Sequence, residues 1–199
     1  SLAEGYSSTA VGSGARAENA FDLAAGHNAI ASGGQSTAVG FHSKSTGNAS
    51  NAIGNSSLAE GYSSTAVGTE ARAENAFDLA AGYQAIASGG QSTAVGYRSN
   101  ASGRSSFAQG SSALASGDAS IAIGDASSAT GNSAIALGNQ AQALGSNSIS
   151  IGKGNIVSGK NSAAIGNPSN ISGNNSYSLG NNNTIATNDT FVVGNNVTK

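Results

Sequence analysis

Apolar residues alternate with small or polar residues over short stretches of the chain, and each stretch ends at a turn-forming residue. The clearest stretch is 133–145, where alternation runs on both sides of Gly138. Alternation of this kind is typical of β-strands, and the helical period of 3.6 residues is absent. The seven residues between successive turns leave room for a strand of about five residues. The pattern therefore predicts short strands joined by closely spaced turns.

Glycine recurs every fourteen residues along the chain without insertion or deletion. A second glycine series lies seven residues away and is replaced only at Asn19, Asn75 and Thr187. Gly and Asn both tolerate positive φ, so we expect both series to mark turns. The predicted turn glycines of the first series include Gly12, Gly40, Gly68, Gly96, Gly124, Gly152 and Gly180. This period predicts an all-β, parallel β-solenoid with fourteen-residue coils and two short strands per coil.

The sequence also contains a longer repeat, in which a block of several coils is duplicated. Residues 1–43 recur at 57–99, four coils further along, with only six differences. The differing pairs are Ser13/Thr69, Gly14/Glu70, His27/Tyr83, Asn28/Gln84, Phe41/Tyr97 and His42/Arg98. Duplication of whole coils is tolerated in a solenoid because each coil contacts only its neighbours. No composition shift marks a linker, so we expect residues 1–199 to form a single domain of about fourteen coils.

Two neighbouring columns of residues precede the first glycine series. The column two residues before the glycine is mostly Ala, as at Ala10, Ala38, Ala66, Ala94, Ala122, Ala136 and Ala164. The column one residue before it is the branched stripe, with Val11, Val39, Ile53, Val67, Val95, Ile123, Leu137, Ile151, Ile165, Leu179 and Val193. Either column could fill the coil. We favour an Ala interior, because both predicted strands have a small-residue column. The stripe would then be exposed and would require burial by self-association about a rotational axis.

Composition excludes several classes of protein. Only 9% of the residues are charged, the net charge is −2 and Cys is absent. The chain therefore lacks the basic surface expected for nucleic-acid binding and cannot form disulfides. No run of about 18 apolar residues is present, so we expect no direct membrane contact within 1–199.

Candidate chemistry is sparse. The two histidines, His27 and His42, are replaced by Tyr83 and Arg98 in the duplicated block, which argues against a catalytic or metal role. The acidic residues lack the dense spacing of calcium-binding solenoids. Charged residues that recur in both blocks, Arg16/Glu18/Asp22 and Arg72/Glu74/Asp78, are predicted to form solvated ladders. We predict no enzymatic activity, no catalytic or metal site and no cofactor.

Two segments, 120–127 and 148–152, read Ser-Ile-Ala-Ile-Gly-Asp-Ala-Ser and Ser-Ile-Ser-Ile-Gly. Together with the x-x-Ala-x-Ala-x-Gly half-coils that follow many such segments, they resemble the head repeats of YadA-like trimeric autotransporter adhesins. The resemblance implies a left-handed β-roll, three chains packed side by side, and attachment through a stalk to the outer membrane of a Gram-negative bacterium. Residues 181–199 are then expected to lead toward a neck or stalk. Larger residues at Val157, Ile171, Ile185 and Val192 are expected to widen the last coils.

The same resemblance implies a surface adhesin head. Its partners would be host matrix proteins of the collagen, fibronectin or laminin class, or cell-surface receptors, bound by residues that the sequence does not identify. The alternative is a structural spacer that holds another domain away from the cell. A third possibility is ice binding by a Thr column that begins at Thr9, but Leu23 and Asn51 already interrupt that column.

Overall fold

The computed structural model describes all 199 residues and contains only β-strands, turns and bends. It confirms an all-β parallel β-solenoid of about fourteen coils with two short strands per coil. The chain divides into two compact units, unit 1 (Ser1–Ser99) and unit 2 (Asn100–Lys199). No helix long and apolar enough to cross a lipid bilayer is present.

Each unit contains fourteen strands. The strands of unit 1 are β1 (Leu2–Ala3), β2 (Thr9–Val11), β3 (Arg16–Ala17), β4 (Leu23–Ala25), β5 (Ile30–Ala31), β6 (Thr37–Val39), β7 (Lys44–Ser45), β8 (Asn51–Ile53), β9 (Leu58–Ala59), β10 (Thr65–Val67), β11 (Arg72–Ala73), β12 (Leu79–Ala81), β13 (Ile86–Ala87) and β14 (Thr93–Val95). The strands of unit 2 are β15 (Asn100–Ala101), β16 (Phe107–Gln109), β17 (Leu114–Ala115), β18 (Ile121–Ile123), β19 (Ser128–Ala129), β20 (Ile135–Leu137), β21 (Gln142–Ala143), β22 (Ile149–Ile151), β23 (Ile156–Val157), β24 (Ala163–Ile165), β25 (Asn170–Ile171), β26 (Tyr177–Leu179), β27 (Thr184–Ile185) and β28 (Phe191–Val193).

Odd-numbered strands have two residues and form sheet 1, whereas even-numbered strands have three residues and form sheet 2. Within each unit every strand pairs in parallel with the strand one coil away, in a register of fourteen residues. Leu2 lies opposite Arg16 in sheet 1, and Ala66 lies opposite Ala80 in sheet 2. The fixed glycine period therefore corresponds to a fixed coil register.

The prediction of strands of about five residues was wrong, because the strands have two or three. The turns use the remaining residues of each half-coil. Backbone bonds between coils continue through these turns, as in Phe21 N–H to Tyr6 O (2.9 Å) and His42 N–H to His27 O (2.9 Å). The coils are therefore joined by hydrogen bonds in the turns as well as in the sheets.

The interior of each coil is narrow and is filled by small residues. In the Ala column, Ala38, Ala66 and Ala94 of unit 1 have no exposed surface, and Ala122, Ala136 and Ala164 of unit 2 have none either. Ala10 is half-buried and packs against the Ala cluster of the first coils. Sheet 1 contributes a second buried Ala column that includes Ala17 and Ala73. The two sheets therefore approach each other through Ala side chains.

Buried polar residues complete the interior and correct one prediction. Asp22 and Asp78, predicted as part of solvated ladders, are each only 1% exposed. The Asp22 carboxylate accepts hydrogen bonds from the Asn19 N–H (2.8 Å), the Ser36 N–H (2.9 Å) and the Ser36 hydroxyl (2.7 Å). Asp78 accepts the matching set from Asn75 and Ser92. These carboxylates are tolerated inside the coil because donors satisfy both oxygens.

Larger side chains fill the last coils of unit 2. Val157, Ile171 and Ile185 are fully buried there and replace the Ala of sheet 1. They pack with Ala164 and with Val192, which is 7% exposed. The interior of unit 2 thus changes from Ala to branched residues while the strand register is unchanged.

Left-handed backbone recurs twice per coil, at positions that the sequence analysis did not identify. Twenty-five residues other than Gly have positive φ, including Phe21 (61°), His42 (54°) and Arg98 (53°). Each of these residues lies two positions after a glycine of either series, or after the Asn or Thr that replaces it, as Phe21 follows Asn19. The N–H groups of Phe21, His42 and Arg98 donate to the preceding coil, which offsets the cost of the left-handed conformation.

The two glycine series have different roles. First-series glycines have positive φ, for example Gly12 (120°), Gly40 (133°), Gly68 (128°), Gly96 (130°), Gly124 (130°), Gly152 (117°) and Gly180 (138°). Second-series glycines do not, so the explanation of that series by positive φ was wrong. A Cβ added to Gly117 would lie 2.1 Å from the Gly131 carbonyl oxygen. Close backbone approach between coils therefore accounts for the glycines of the second series.

We predict that Gly117→Ala destabilises the fold by about 2–3 kcal/mol, because the new Cβ would collide with the backbone of the next coil. The matched control is Gly154→Asn, since Gly154 has a φ of 69° and the nearest atom to an added Cβ is the Pro168 Cβ at 3.5 Å. Asn tolerates this conformation, so we expect a loss below about 1 kcal/mol. Urea denaturation followed by circular dichroism measures both, and equal midpoints would contradict the close-approach argument.

Ala66→Leu is expected to lower the free energy of unfolding by about 1–3 kcal/mol, because the narrow interior cannot accommodate the added volume. Val67→Leu on the same strand is the control. Val67 is exposed, and Leu137 and Leu179 already occupy the corresponding position in unit 2. We expect that control to change stability by less than about 0.5 kcal/mol in the same denaturation assay. A larger loss from Val67→Leu than from Ala66→Leu would show that the interior is assigned to the wrong column.

Candidate assembly face and exposed edges

The branched stripe lies on the outer face of sheet 2 in both units. Each three-residue strand places its middle residue, Ala or Ser in every strand but β28, inward and its first and third residues outward, as strand geometry requires. Seven stripe residues are exposed: Val11, Ile53, Val67, Leu137, Ile165, Leu179 and Val193. Four are half-buried: Val39, Val95, Ile123 and Ile151. An isolated chain therefore leaves large apolar side chains in contact with water along this face.

A second outward column on sheet 2 was missed in the sequence. It begins at Thr9 and was considered only as an interrupted Thr row. In unit 2 this column becomes apolar at Phe107, Ile121, Ile135, Ile149, Tyr177 and Phe191. In unit 2 the face is thus two side chains wide, and adjacent strands pair Ile121 with Ile135 and Ile123 with Leu137. If three-residue strands with an inward middle residue had been assumed, the first residue of each strand would have been recognised in the sequence as a second outward column.

The outer face of sheet 1 is more polar. In unit 1, Arg16 Nη2 lies 2.8 Å from Glu18 Oε1, and Arg72 Nη2 lies 2.8 Å from Glu74 Oε1. The arginine side chains are half exposed, so each ion pair contributes less than about 1 kcal/mol. The outer face of sheet 1 also carries apolar residues such as Leu58 and Ile86, but it includes these ion pairs, whereas the outward residues of sheet 2 include no charged side chain.

The turns form two edges of the coil. Edge 1 connects sheet 1 to sheet 2, and in unit 1 it carries two exposed aromatic pairs. The rings of Tyr6 and Phe21 meet edge to face at 5.7 Å between centroids, and those of Tyr62 and Phe77 meet at 5.5 Å. Tyr6 is 77% exposed. These pairs occupy equivalent positions in the two duplicated blocks.

Edge 2 connects sheet 2 to sheet 1 of the next coil, and it contains both histidines. His27 stacks on Phe41 with ring centroids 5.2 Å apart, and Phe41 lies 4.2 Å from the His42 ring. In the second block, Tyr83 stacks on Tyr97 at 5.4 Å, and the Arg98 guanidinium lies 5.2 Å from the Tyr97 centroid. Both groups are exposed at the surface of unit 1.

Edge 2 of unit 2 has one irregular turn. Pro168 occupies the position where other coils have a left-handed residue, a conformation that proline cannot adopt. A shallow cavity of about 390 Å³ lies beside it, lined by Gln140, Lys153, Gly154, Asn167 and Pro168. No group of three or more His, Asp or Glu side chains in the chain is arranged to hold a metal ion.

The fold and surfaces define a class of protein, a parallel β-solenoid with small residues inside and one apolar outer face. A family model described as the YadA head domain repeat matches this chain at residues 3–29, 20–43, 45–71, 73–99, 101–127, 129–155 and 145–169. The chain therefore belongs to the YadA head family, as the resemblance predicted. Heads of this family are segments of surface-exposed trimeric autotransporter adhesins and are typically not enzymes. No curated protein matches the chain.

Proposed function

We propose that this chain is the head segment of a homotrimeric bacterial surface adhesin. Three copies associate side by side through the outer face of sheet 2. The observation that carries the proposal is the exposed apolar face in both units of a chain whose own interior contains mainly Ala and Ser. An exposed apolar area that extends over many coils exceeds what a monomeric protein normally presents to water. Membership of the YadA head family supports a threefold rather than a twofold arrangement.

The proposed interface consists of the branched stripe together with the second outward column. Burying each additional CH₂ group stabilises association by about 0.8 kcal/mol, and this contribution recurs in every coil. The polar outer face of sheet 1 would remain in solvent. We also propose a location at the outer membrane of a Gram-negative bacterium, which membership of the YadA head family supports.

We predict that Ile123→Asp and Ile151→Asp each convert the assembled fragment to monomer, because three carboxylates would be brought together in an apolar interface. Ile149→Asp tests the second column and should have the same effect. Arg16→Ala is the control, since Arg16 lies on the outer face of sheet 1. Sedimentation velocity at micromolar concentration measures the state of each variant. A wild-type fragment that sediments only as monomer would contradict the proposed interface.

The proposed partners are host matrix proteins or cell-surface receptors. A trimeric head presents each surface three times, so weak individual contacts gain strength through multivalency. The exposed aromatic pairs of unit 1 support a binding role, because Tyr and Phe are among the residues that dominate interface energies.

We expect the trimeric fragment to bind saturably to immobilised collagen, fibronectin or laminin in surface plasmon resonance. The double variant Tyr6→Ser/Tyr62→Ser should reduce the response at least threefold, because it removes one ring from each aromatic pair on edge 1. A monomeric Ile151→Asp variant should bind more weakly through loss of avidity. Absence of saturable binding to all three proteins would support the spacer function instead.

A further inference from the structure

The six differences between the duplicated blocks all lie on edge 2 of unit 1. They occupy two adjacent positions in three successive coils, while the sheets, the interior and edge 1 are identical in both blocks. We call these positions in the second block the variable edge: Thr69, Glu70, Tyr83, Gln84, Tyr97 and Arg98. Because the substitutions are confined to one contiguous surface, we interpret the edge-2 side chains of the two blocks as having different roles on the same scaffold.

The backbone is the same beneath both versions of this surface. Asn28 and Gln84 have φ values of 54° and 53°, and His42 and Arg98 have values of 54° and 53°. Their N–H groups make equivalent bonds to the preceding coil at 2.8–2.9 Å. The two versions therefore differ in side-chain chemistry rather than in fold.

The variable edge carries an ordered ladder of polar side chains. Arg98 Nε donates to Gln84 Oε1 at 2.8 Å, and Gln84 Nε2 donates to Glu70 Oε2 at 2.6 Å. Arg98 also packs over the Tyr97 ring, which fixes the guanidinium by cation–π attraction. Its two terminal nitrogens are not paired with a carboxylate of unit 1. Arg98 therefore presents a pre-oriented fork that matches a carboxylate.

The groups beside Arg98 favour a ligand rich in hydroxyls. Tyr83 and Tyr97 are 43% and 48% exposed, and a phenolic hydroxyl can both donate and accept. Glu70 uses one carboxylate oxygen for Gln84, and its other oxygen can accept from a ligand hydroxyl. The site has a cation at one end and a carboxylate at the other. A sugar that carries one carboxylate and several hydroxyls satisfies both ends.

An acidic polypeptide fits this surface less well. Unit 1 contains seven acidic and four basic side chains, so a ligand with many negative charges would be repelled. A ridge of six residues is also much smaller than the roughly 800 Å² that each partner contributes to a stable protein interface. A saccharide needs less area, and repetition of the site in an assembly compensates for weak single contacts.

We infer that the variable edge is a binding site for an acidic saccharide, with Arg98 on the sugar carboxylate and Tyr83, Tyr97 and Glu70 on its hydroxyls. The inference rests on the proposed adhesive function and names a ligand class for it. The first block, which has Gly14, Asn28 and His42 in place of the ladder, lacks this site.

The two blocks supply their own matched variants for the test. The block-swap variant Thr69→Ser/Glu70→Gly/Tyr83→His/Gln84→Asn/Tyr97→Phe/Arg98→His places the first block's side chains on the second block. These residues already occupy the same backbone in the first block, so the variant is expected to fold. Saturation-transfer NMR and calorimetry would use 3′-sialyllactose and a hyaluronan tetrasaccharide as two sources of a carboxylate sugar, with lactose as the neutral comparison.

We expect the wild-type fragment to bind at least one acidic saccharide at least tenfold more tightly than lactose, and the block swap to remove that preference. Arg98→Lys should weaken binding about threefold to tenfold, because Lys retains the charge but not the fork. The reciprocal variant Ser13→Thr/Gly14→Glu/His27→Tyr/Asn28→Gln/Phe41→Tyr/His42→Arg should double the number of sites per chain.

Sedimentation of the same samples separates this inference from the proposed function. Loss of saccharide binding with unchanged assembly supports the site. Unchanged binding in the block swap, equal binding of lactose, or no binding by the wild type would each overturn it. A block swap that alters the oligomeric state would show that edge 2 contacts a second copy of the chain instead. A monomeric wild type that still prefers acidic saccharides would contradict the trimer and leave the site supported.

Discussion

Close stacking of nearly identical backbones is the constraint on which this structure depends. Within each unit, every coil is hydrogen-bonded to the next through both sheets and through the turns, so successive coils must have nearly the same path. This spacing leaves no room for a Cβ at glycines such as Gly103, where it would lie 2.0 Å from the Gly117 carbonyl oxygen. Close approach between coils therefore favours glycine at these positions, and the fourteen-residue strand register repeats the requirement in successive coils.

The narrow interior determines where large apolar residues can go. Ala and Ser fill the space between the two sheets, and their burial contributes little hydrophobic free energy per residue. Backbone hydrogen bonds and the packing of many similar coils must therefore provide much of the stability of one chain. Large apolar side chains are concentrated on the outside of sheet 2. An assembly that buries this face would supply, between chains, the apolar core that a single chain lacks.

Sequence periodicity predicted the features that depend on coil register. The solenoid, the two strands per coil and the family all follow from residues that recur every fourteen positions. Many of the left-handed residues could not be recognised, because Phe21, Gln84 and Arg98 are not residue types that favour positive φ. The burial of Asp22 could not be predicted either, because its hydrogen-bond donor Ser36 lies fourteen residues away and reaches the carboxylate only when the coils stack. Tertiary hydrogen bonds override local preference at these positions.

Stacking also explains why surface chemistry can change on an edge without affecting the fold. Residues that point into the coil lie between the two sheets. The first and third residues of each strand lie beside their counterparts in adjacent coils. At edge 2 the backbone makes the inter-coil bonds, as in Arg98 N–H to Tyr83 O at 2.8 Å, while the side chains project outward. The duplicated blocks therefore share one backbone but carry a His–Phe–His group in one copy and a Tyr–Tyr–Arg group in the other. A solenoid built in this way can acquire a new recognition surface by substitution at edge positions alone, because the backbone bonds between coils are the same whichever side chain is present.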